Sequence, residues 1–320
     1  MKFLTIPLIL FCLQVSAQST RGITGIPDTS FTNYSAYHKA KKIHPKIKLV
    51  KEKSSARVVE KKNITYCSIG NRNLFLDAFL PKKKRKSPAV VIVHGGGWRS
   101  GSRTQHYPLA QRLAEKGYVC FTPEYRLSTE ALYPAAVYDL KAAVRWIRKN
   151  ASEYQVDTSR IAVLGFSAGG ELAAFMGVTN NNKSYEGSDY AGEFSSKVNA
   201  VVDIDGTLSF VHPESGEGDD RKGPSAATYW FGYSKLENPD LWKEASPLNH
   251  AGPDTPPFLF LNSAVDRMHA GRDDFRKILD SNGIYSEVHT FPNSPHTFIL
   301  FEPWFTPSVN YIHSFLQKVF

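Results

Sequence analysis

Ile161-Ala162-Val163-Leu164-Gly165-Phe166-Ser167-Ala168-Gly169-Gly170-Glu171-Leu172-Ala173-Ala174-Phe175-Met176 is the stretch that decides the fold. Residues 161–165 form an unbroken small-apolar run suited to a buried strand, and residues 170–176 read as helix. Between them lies Gly165-Phe166-Ser167-Ala168-Gly169. A strand that turns into a helix over one serine needs small residues on both sides, because the two backbones must nearly touch. The reward is a hydroxyl lifted clear of the sheet edge, facing the positive end of the helix that follows. G-x-S-x-G alone is a common pattern; the strand before it and the helix after it give it weight.

Working outward, strand and helix patterns alternate from residue 88 onward, as in a parallel α/β sheet. Ala89-Val90-Val91-Ile92-Val93 is a continuous apolar run of the kind covered on both faces. A helix is expected over 108–116, closed by Gly117, then a strand over 118–123. In a helix over 134–149, Val137, Leu140, Val144 and Ile147 share one face. Further strands are read at 160–166, 198–204, 257–262 and 286–291, with helices at 272–281 and 307–319. Residues 206–245 interrupt the alternation with Gly, Pro, charges and the Tyr229-Trp230-Phe231 cluster. They are expected to form an insertion over the active-site end of a mostly parallel sheet with helices on both faces.

His94-Gly95-Gly96-Gly97-Trp98 closes the strand at 89–93. Consecutive glycines let backbone N–H groups face a developing oxyanion, so Gly96 and Gly97 are expected to serve with Ala168, the residue after the serine. No Gly-Lys-Ser/Thr follows, which excludes a phosphate-cradling P-loop. Two partners complete a Ser–Asp–His chain order: Asp266, past the strand at 257–262, and His296, past the final strand. In this assignment His296 takes the proton of Ser167, and Asp266 fixes its tautomer. Asp273 and Asp274 lie close by but read as first-turn acids of the next helix. Trp98, Arg267, His269 and Arg272 are candidate substrate contacts. No metal or cofactor is expected.

The chain has 320 residues, 42% hydrophobic and 22% charged, an ordinary globular balance. Lys2, an apolar run at 3–15 and small residues at Val15-Ser16-Ala17 read as a cleaved export leader over 1–17. Cys12 does not make a lipid-anchor site, since bulky Phe11 precedes it. Export to the periplasm or beyond is therefore expected, without stable membrane insertion. Cys67 and Cys120 then remain as buried thiols in strand-like runs, too few for a disulfide framework. Residues 18–60 form a basic arm, packed on or trailing from a catalytic domain over 61–320. The run Pro81-Lys82-Lys83-Lys84-Arg85-Lys86 reads as a solvated hairpin connection rather than a nuclear address. The formal charge is +9, and loss of Lys2 with the leader leaves +8. Without a recognisable module, that charge does not point to nucleic acid.

Taken together, His94–Trp98, Glu124-Tyr125-Arg126-Leu127, Pro134-Ala135-Ala136, Gly165–Gly169 and Pro256-Pro257 resemble the HGGG-type esterases of the α/β-hydrolase superfamily. The resemblance covers roughly residues 62–320, and within the superfamily it is closest to secreted bacterial carbohydrate esterases. It implies a cofactor-free two-step acyl transfer on a sugar ester, the family removing acetyl, feruloyl or methyl groups from plant polysaccharides, with acetyl the first choice. The +8 charge and the basic Arg267, His269 and Arg272 make pectin one candidate polymer. Asp266-Arg267-Met268-His269-Ala270-Gly271-Arg272 is shorter and more basic than the family's usual turn. Three other readings stand beside this one: a serine peptidase of the same fold, a general small-molecule carboxylesterase, and an inactive hydrolase fold used for adhesion. A peptidase usually carries an access-restricting domain, which the short arm does not supply. An adhesion protein usually lacks a triad member or the glycines.

Overall fold

The computed structural model describes residues 18–82, 85–188 and 190–320. The expected leader at 1–17 lies outside them, as do Lys83 and Lys84 of the basic run. Eight strands make the central sheet: β1 (Val58–Ile69), β2 (Arg72–Pro81), β3 (Ser87–Val93), β4 (Val119–Pro123), β5 (Val156–Phe166), β6 (Ala200–Ile204), β7 (Phe258–Asn262) and β8 (Ser286–Thr290). Their order is β1-β2-β4-β3-β5-β6-β7-β8. β2 pairs antiparallel with β1 and β4, and from β4 to β8 every pairing is parallel.

That order corrects one expectation. The basic run joining β2 to β3 is not a hairpin connection, because β4 lies between the two strands. Alternation of apolar and charged residues cannot distinguish a hairpin from a connection that skips a strand.

The helices are α1 (Asn33–Lys41), α2 (Tyr107–Glu115), α3 (Ala135–Lys149), α4 (Ala168–Val178), α5 (Ala226–Phe231), α6 (Pro239–Glu244), α7 (Arg272–Ser281) and α8 (Phe305–Val319), with short turns between. Alternate residues of the inner strands enter two separate cores. Ala89, Val91 and Val93 of β3 and Val163 of β5 pack on one face with Leu172 and Phe175 of α4 and Val137 and Leu140 of α3. Val90, Ile92 and Leu164 pack on the other with Leu109 and Leu113 of α2 and Ile312, Phe315 and Leu316 of α8. Burial on both faces explains why these strands read as unbroken apolar runs. Their side-chain period is still two.

Adjacent strands β3 and β5 thus send their following helices to opposite faces. The crevice at their C-terminal ends is the place where such sheets hold ligands. His94–Trp98 and Ser167 both emerge there.

The basic arm packs on this framework. Thr32 caps α1 through the amide of Ser35, and Ala36 and Ala40 join the α2/α8 core. Ahead of α1, residues 18–28 form a strap. The amide of Ser19 donates to Gly232 O at 2.7 Å, Gln18 Nε2 to Phe231 O at 2.9 Å, and the Gly25 amide to Thr129 O at 2.8 Å. Arg99, just past the glycine run, donates to Gly22 O at 3.2 Å and Asp28 Oδ2 at 3.0 Å, with its guanidinium 4.5 Å from the Tyr229 ring centre. Among the described residues, no helix is long and apolar enough to cross a membrane. Cys67 and Cys120 are both buried, and no disulfide joins them.

Candidate active site

Ser167 sits between the last residue of β5 and the first of α4, at φ 56° and ψ −122°. This strained turn depends on close approach. A Cβ on Gly165 would overlap the carbonyl of Gly169, and one on Gly169 would overlap the carbonyl of Val93. The Ser167 amide is tied to Ile204 O at the end of β6, 2.8 Å away. The nucleophile position is therefore fixed by three neighbouring strands.

His296 lies in the loop after β8, its ring against Phe166 with centroids 4.9 Å apart. Its Nε2 is 2.8 Å from Ser167 Oγ, and its Nδ1 is 2.9 Å from a carboxylate oxygen. That oxygen belongs to Asp205, not Asp266. Asp205 follows β6 at φ 52° and is fully buried. Its other oxygen accepts the Ser263 amide at 2.8 Å, and its own amide donates to Leu261 O at 3.0 Å. A carboxylate only accepts, so Nδ1 carries the proton and Nε2 is free to accept from the serine hydroxyl.

Asp266 opens a short turn after β7, with its side chain 96% exposed and His269 Nε2 3.9 Å away. The expectation for it is corrected by geometry: the chain leaving β7 carries Asp266 out to solvent, while the tighter turn after β6 aims Asp205 inward. Strand ends alone do not separate the two, because Val201-Val202-Asp203-Ile204-Asp205-Gly206 satisfies the same rule one strand earlier. The signal that separates them is the glycine after Asp205. Its amide donates to Asp203 Oδ1 at 2.8 Å and closes the turn.

The glycine run lies beside Ser167, where a Cβ on Gly95 would be only 3.2 Å from the Ser167 Cβ. Gly96 has φ 131°, and a Cβ there would collide with the backbone of Ser100, whose amide donates to Gly96 O. Among the described residues, the amides of Gly96, Gly97 and Ala168 donate to no protein acceptor. Ala168 is the first residue of α4, where an amide has no intrahelical partner. His94 itself is not part of the chemistry; burial pushes its imidazole down to about 4, and its ring stacks on Tyr125.

Three of the four candidate substrate contacts are occupied otherwise. Trp98 is buried, stacked on Trp230 at 4.8 Å, and donates from Nε1 to Glu171 Oε2 at 2.9 Å. His269 is buried, and Arg272 is held by Asn262 Oδ1 at 2.8 Å and by Asp273. These side chains brace the site from inside. Only Arg267 of the four is exposed, and it lies against Gly216.

Glu171 and Asp203 lie fully buried behind the nucleophile, and each has one carboxyl oxygen without a hydrogen-bond partner among the described residues. Burial holds both carboxyls far above the usual range, with Asp203 adding to the rise of Glu171 and Asp205 to that of Asp203. An acid whose pKa is higher folded than unfolded binds more protons in the folded state, so stability falls as pH rises above its unfolded value near 4.5. Glu171→Gln keeps the neutral shape and removes this dependence. Its unfolding free energy is expected to fall less between pH 5 and 8 than that of the wild type, by up to about 1.4 kcal/mol per pH unit. Urea titrations at both pH values measure it, and parallel slopes for the two proteins would show Glu171 to be ionised in the fold.

Sheet order, elbow and histidine loop together define an α/β-hydrolase fold. The chain belongs to the BD-FAE family, whose model matches residues 76–270. Esterase LipC of Mycobacterium tuberculosis is 30% identical over 250 residues, which cover 73% of this chain and 59% of that protein. Esterase LipQ of the same organism is 29% identical over 68% of this chain and 51% of its own length. The chain thus spans half to three-fifths of the length of these curated relatives. Among solved structures, a truncated form of a carbohydrate esterase from gut microbiota superposes with a TM-score of 0.72 at 26% identity, covering 84% of this chain and 100% of that one. Thermogutta terrifontis Est2 with propionate bound matches at TM-score 0.65 and 24% identity over 82% of this chain, a likeness of fold alone.

Proposed function

We propose that this chain is an exported serine esterase that removes acetyl groups from plant-type polysaccharide through an acyl-enzyme on Ser167. The observation that carries the reading is His296 bridging Ser167 Oγ and Asp205 Oδ2 at 2.8 and 2.9 Å beneath open glycine amides. Ser167 Oγ attacks the ester carbonyl carbon while His296 Nε2 takes its proton, and the buried carboxylate of Asp205 stabilises the imidazolium. The carbonyl oxygen gains its charge facing the amides of Gly96, Gly97 and Ala168. Collapse breaks the bond to the alcohol, which leaves with the proton held on His296. Water then attacks the acyl carbon, giving its proton to His296, and the acid departs as the proton returns to Ser167.

The carbohydrate half of the reading is supported by the likeness to the gut-microbiota carbohydrate esterase. The leader-like residues 1–17 support export. Pectin is the acidic candidate, drawn from the +8 charge that remains without the leader. Against it, His269 and Arg272 point inward, which leaves Arg267 alone of the three to meet a uronate. A neutral acetylated polymer is the better fit.

Acetate release from acetylated xylan and acetylated pectin, measured side by side across a salt series, tests the choice. We expect xylan turnover to change little with salt, and any pectin advantage at low salt to vanish above about 0.1 M, where exposed charges are screened beyond about 10 Å. A pectin preference that survives high salt would overturn the neutral polymer. Hydrolysis of small aryl esters with no acetate from either polymer would instead make the protein a general carboxylesterase.

A further inference from the structure

The loop from His94 to Gly101 is held through several of its carbonyls while two of its amides stay open. Tyr125 donates its hydroxyl to His94 O at 2.9 Å, and the Ser128 amide donates to Trp98 O at 2.7 Å. Gly96 O accepts the Ser100 amide at 3.0 Å and the Ser100 hydroxyl at 2.9 Å. The open amides of Gly96 and Gly97 belong to this loop, whereas that of Ala168 belongs to α4. An oxyanion site built from two separate stretches of chain works only if their separation is fixed.

Trp98 spans that gap. Its φ of 55° lies in the left-handed region, which a bulky residue rarely adopts. Its buried indole donates from Nε1 to Glu171 Oε2 at 2.9 Å and lies parallel to Trp230, with ring centroids 4.8 Å apart. Glu171 stands one turn into α4, its amide on Ser167 O at 3.0 Å, so this bond joins the glycine loop to the helix that begins at Ala168. The carboxyl is fully buried, and its other oxygen has no partner among the described residues. An apolar side chain would fill the same space at less cost, so what the carboxyl adds is the bond to Trp98. Trp230 belongs to α5, which also backs the loop: a Cβ on Gly97 would lie 3.1 Å from Ala226 Cβ.

We propose that Trp98 is a positioning residue for the oxyanion site, its indole bond to Glu171 holding the Gly96 and Gly97 amides at a fixed distance from Ala168. The proposal rests on acyl transfer at Ser167 as described above, whichever ester is cleaved. Trp98 acts through the glycines before it and not on the substrate. Backbone outliers that packing holds in place are concentrated at functional sites, where they store the geometry the chemistry needs. Without the bond, substrate still binds as before. What weakens is the interaction that grows as charge reaches the carbonyl oxygen, so kcat falls and KM does not.

Trp98→Phe keeps a ring over Trp230 and loses the N–H, Glu171→Leu loses the acceptor, and Glu171→Gln keeps an acceptor oxygen. Trp242→Phe is the control, a buried indole of the same aromatic cluster whose N–H goes to Tyr233 O at 3.0 Å. Each variant is assayed on 4-nitrophenyl acetate, and a fluorophosphonate titration run to completion counts its folded sites. Inhibition by an aryl trifluoromethyl ketone reads the oxyanion site directly. Ser167 Oγ adds to the ketone carbon, its proton passes to His296, and the former carbonyl oxygen carries the charge. In Trp98→Phe and Glu171→Leu, kcat per site is expected to fall roughly ten- to a hundredfold, with KM within about twofold and ketone affinity lost in parallel. Glu171→Gln is expected to recover most of what Glu171→Leu loses. The double variant Trp98→Phe/Glu171→Leu is expected to lose no more than the worse single, since both remove one bond. Three results would overturn the role of Trp98: kcat within about twofold of wild type in both single variants, a rise in KM at unchanged kcat, or an equal loss in Trp242→Phe. A wild type that the fluorophosphonate does not titrate would overturn acyl transfer at Ser167 and the proposal with it.

Discussion

Ser167→Ala is expected to lower ester turnover by roughly 10⁶-fold, the loss seen when the nucleophile of a triad is removed. Among the described residues the hydroxyl's hydrogen bond is to His296, at 2.8 Å, so the fold does not lean on it. The strained turn is kept by the glycines on either side and by the Ser167 amide on Ile204, none of which involves the side chain. Thermal unfolding should therefore match the wild type within a few degrees while steady-state hydrolysis of 4-nitrophenyl acetate collapses. Activity within tenfold of wild type would place the nucleophile elsewhere.

Asp205→Asn is expected to cost on the order of 10⁴ in kcat, and Asp266→Asn less than about twofold. The asymmetry follows from which way an amide must turn. One oxygen of Asp205 accepts the Ser263 amide at 2.8 Å, so an asparagine keeps its oxygen there and presents its NH2 to His296 Nδ1. Nδ1 must then accept, the ring proton moves to Nε2, and Nε2 is no longer a base toward the serine. Asp266, 96% exposed, has no such hold on the ring. Steady-state kinetics of the two variants decide the matter. An Asp266→Asn enzyme crippled more than Asp205→Asn would mean that the loop after β7 closes inward during turnover.

How these two acids were told apart shows what the sequence carries. Elbow, glycine run and histidine are legible because each needs a residue type that sterics or chemistry leaves no substitute for. Gly165 and Gly169 have no room for a side chain, and His296 stands in the loop directly after the last strand, at the end where Ser167 emerges. The acid is less constrained. Any carboxylate past one of two neighbouring strands can reach the ring, and the choice depends on the backbone direction after each strand. Only Gly206, whose amide closes the turn after β6, carries that direction in the local pattern. The hairpin expected between β2 and β3 fails for the same reason, since strand neighbours are set by tertiary packing. Trp98 reads as a substrate contact because its burial depends on Trp230, which lies far along the chain.

The strap formed by residues 18–28 bears on how the protein is to be handled. It runs against Phe231, Gly232 and Arg99, so its first residue lies at the end of α5, whose Ala226 faces Gly97. An affinity tag or fusion partner joined directly ahead of Gln18 would be delivered to the end of α5, on the glycine-run side of the sheet. Phe320 packs with α2 and α8 on the far face of the sheet from α4. Appended sequence is best carried there, and immobilisation through that end leaves the cleft facing the solution.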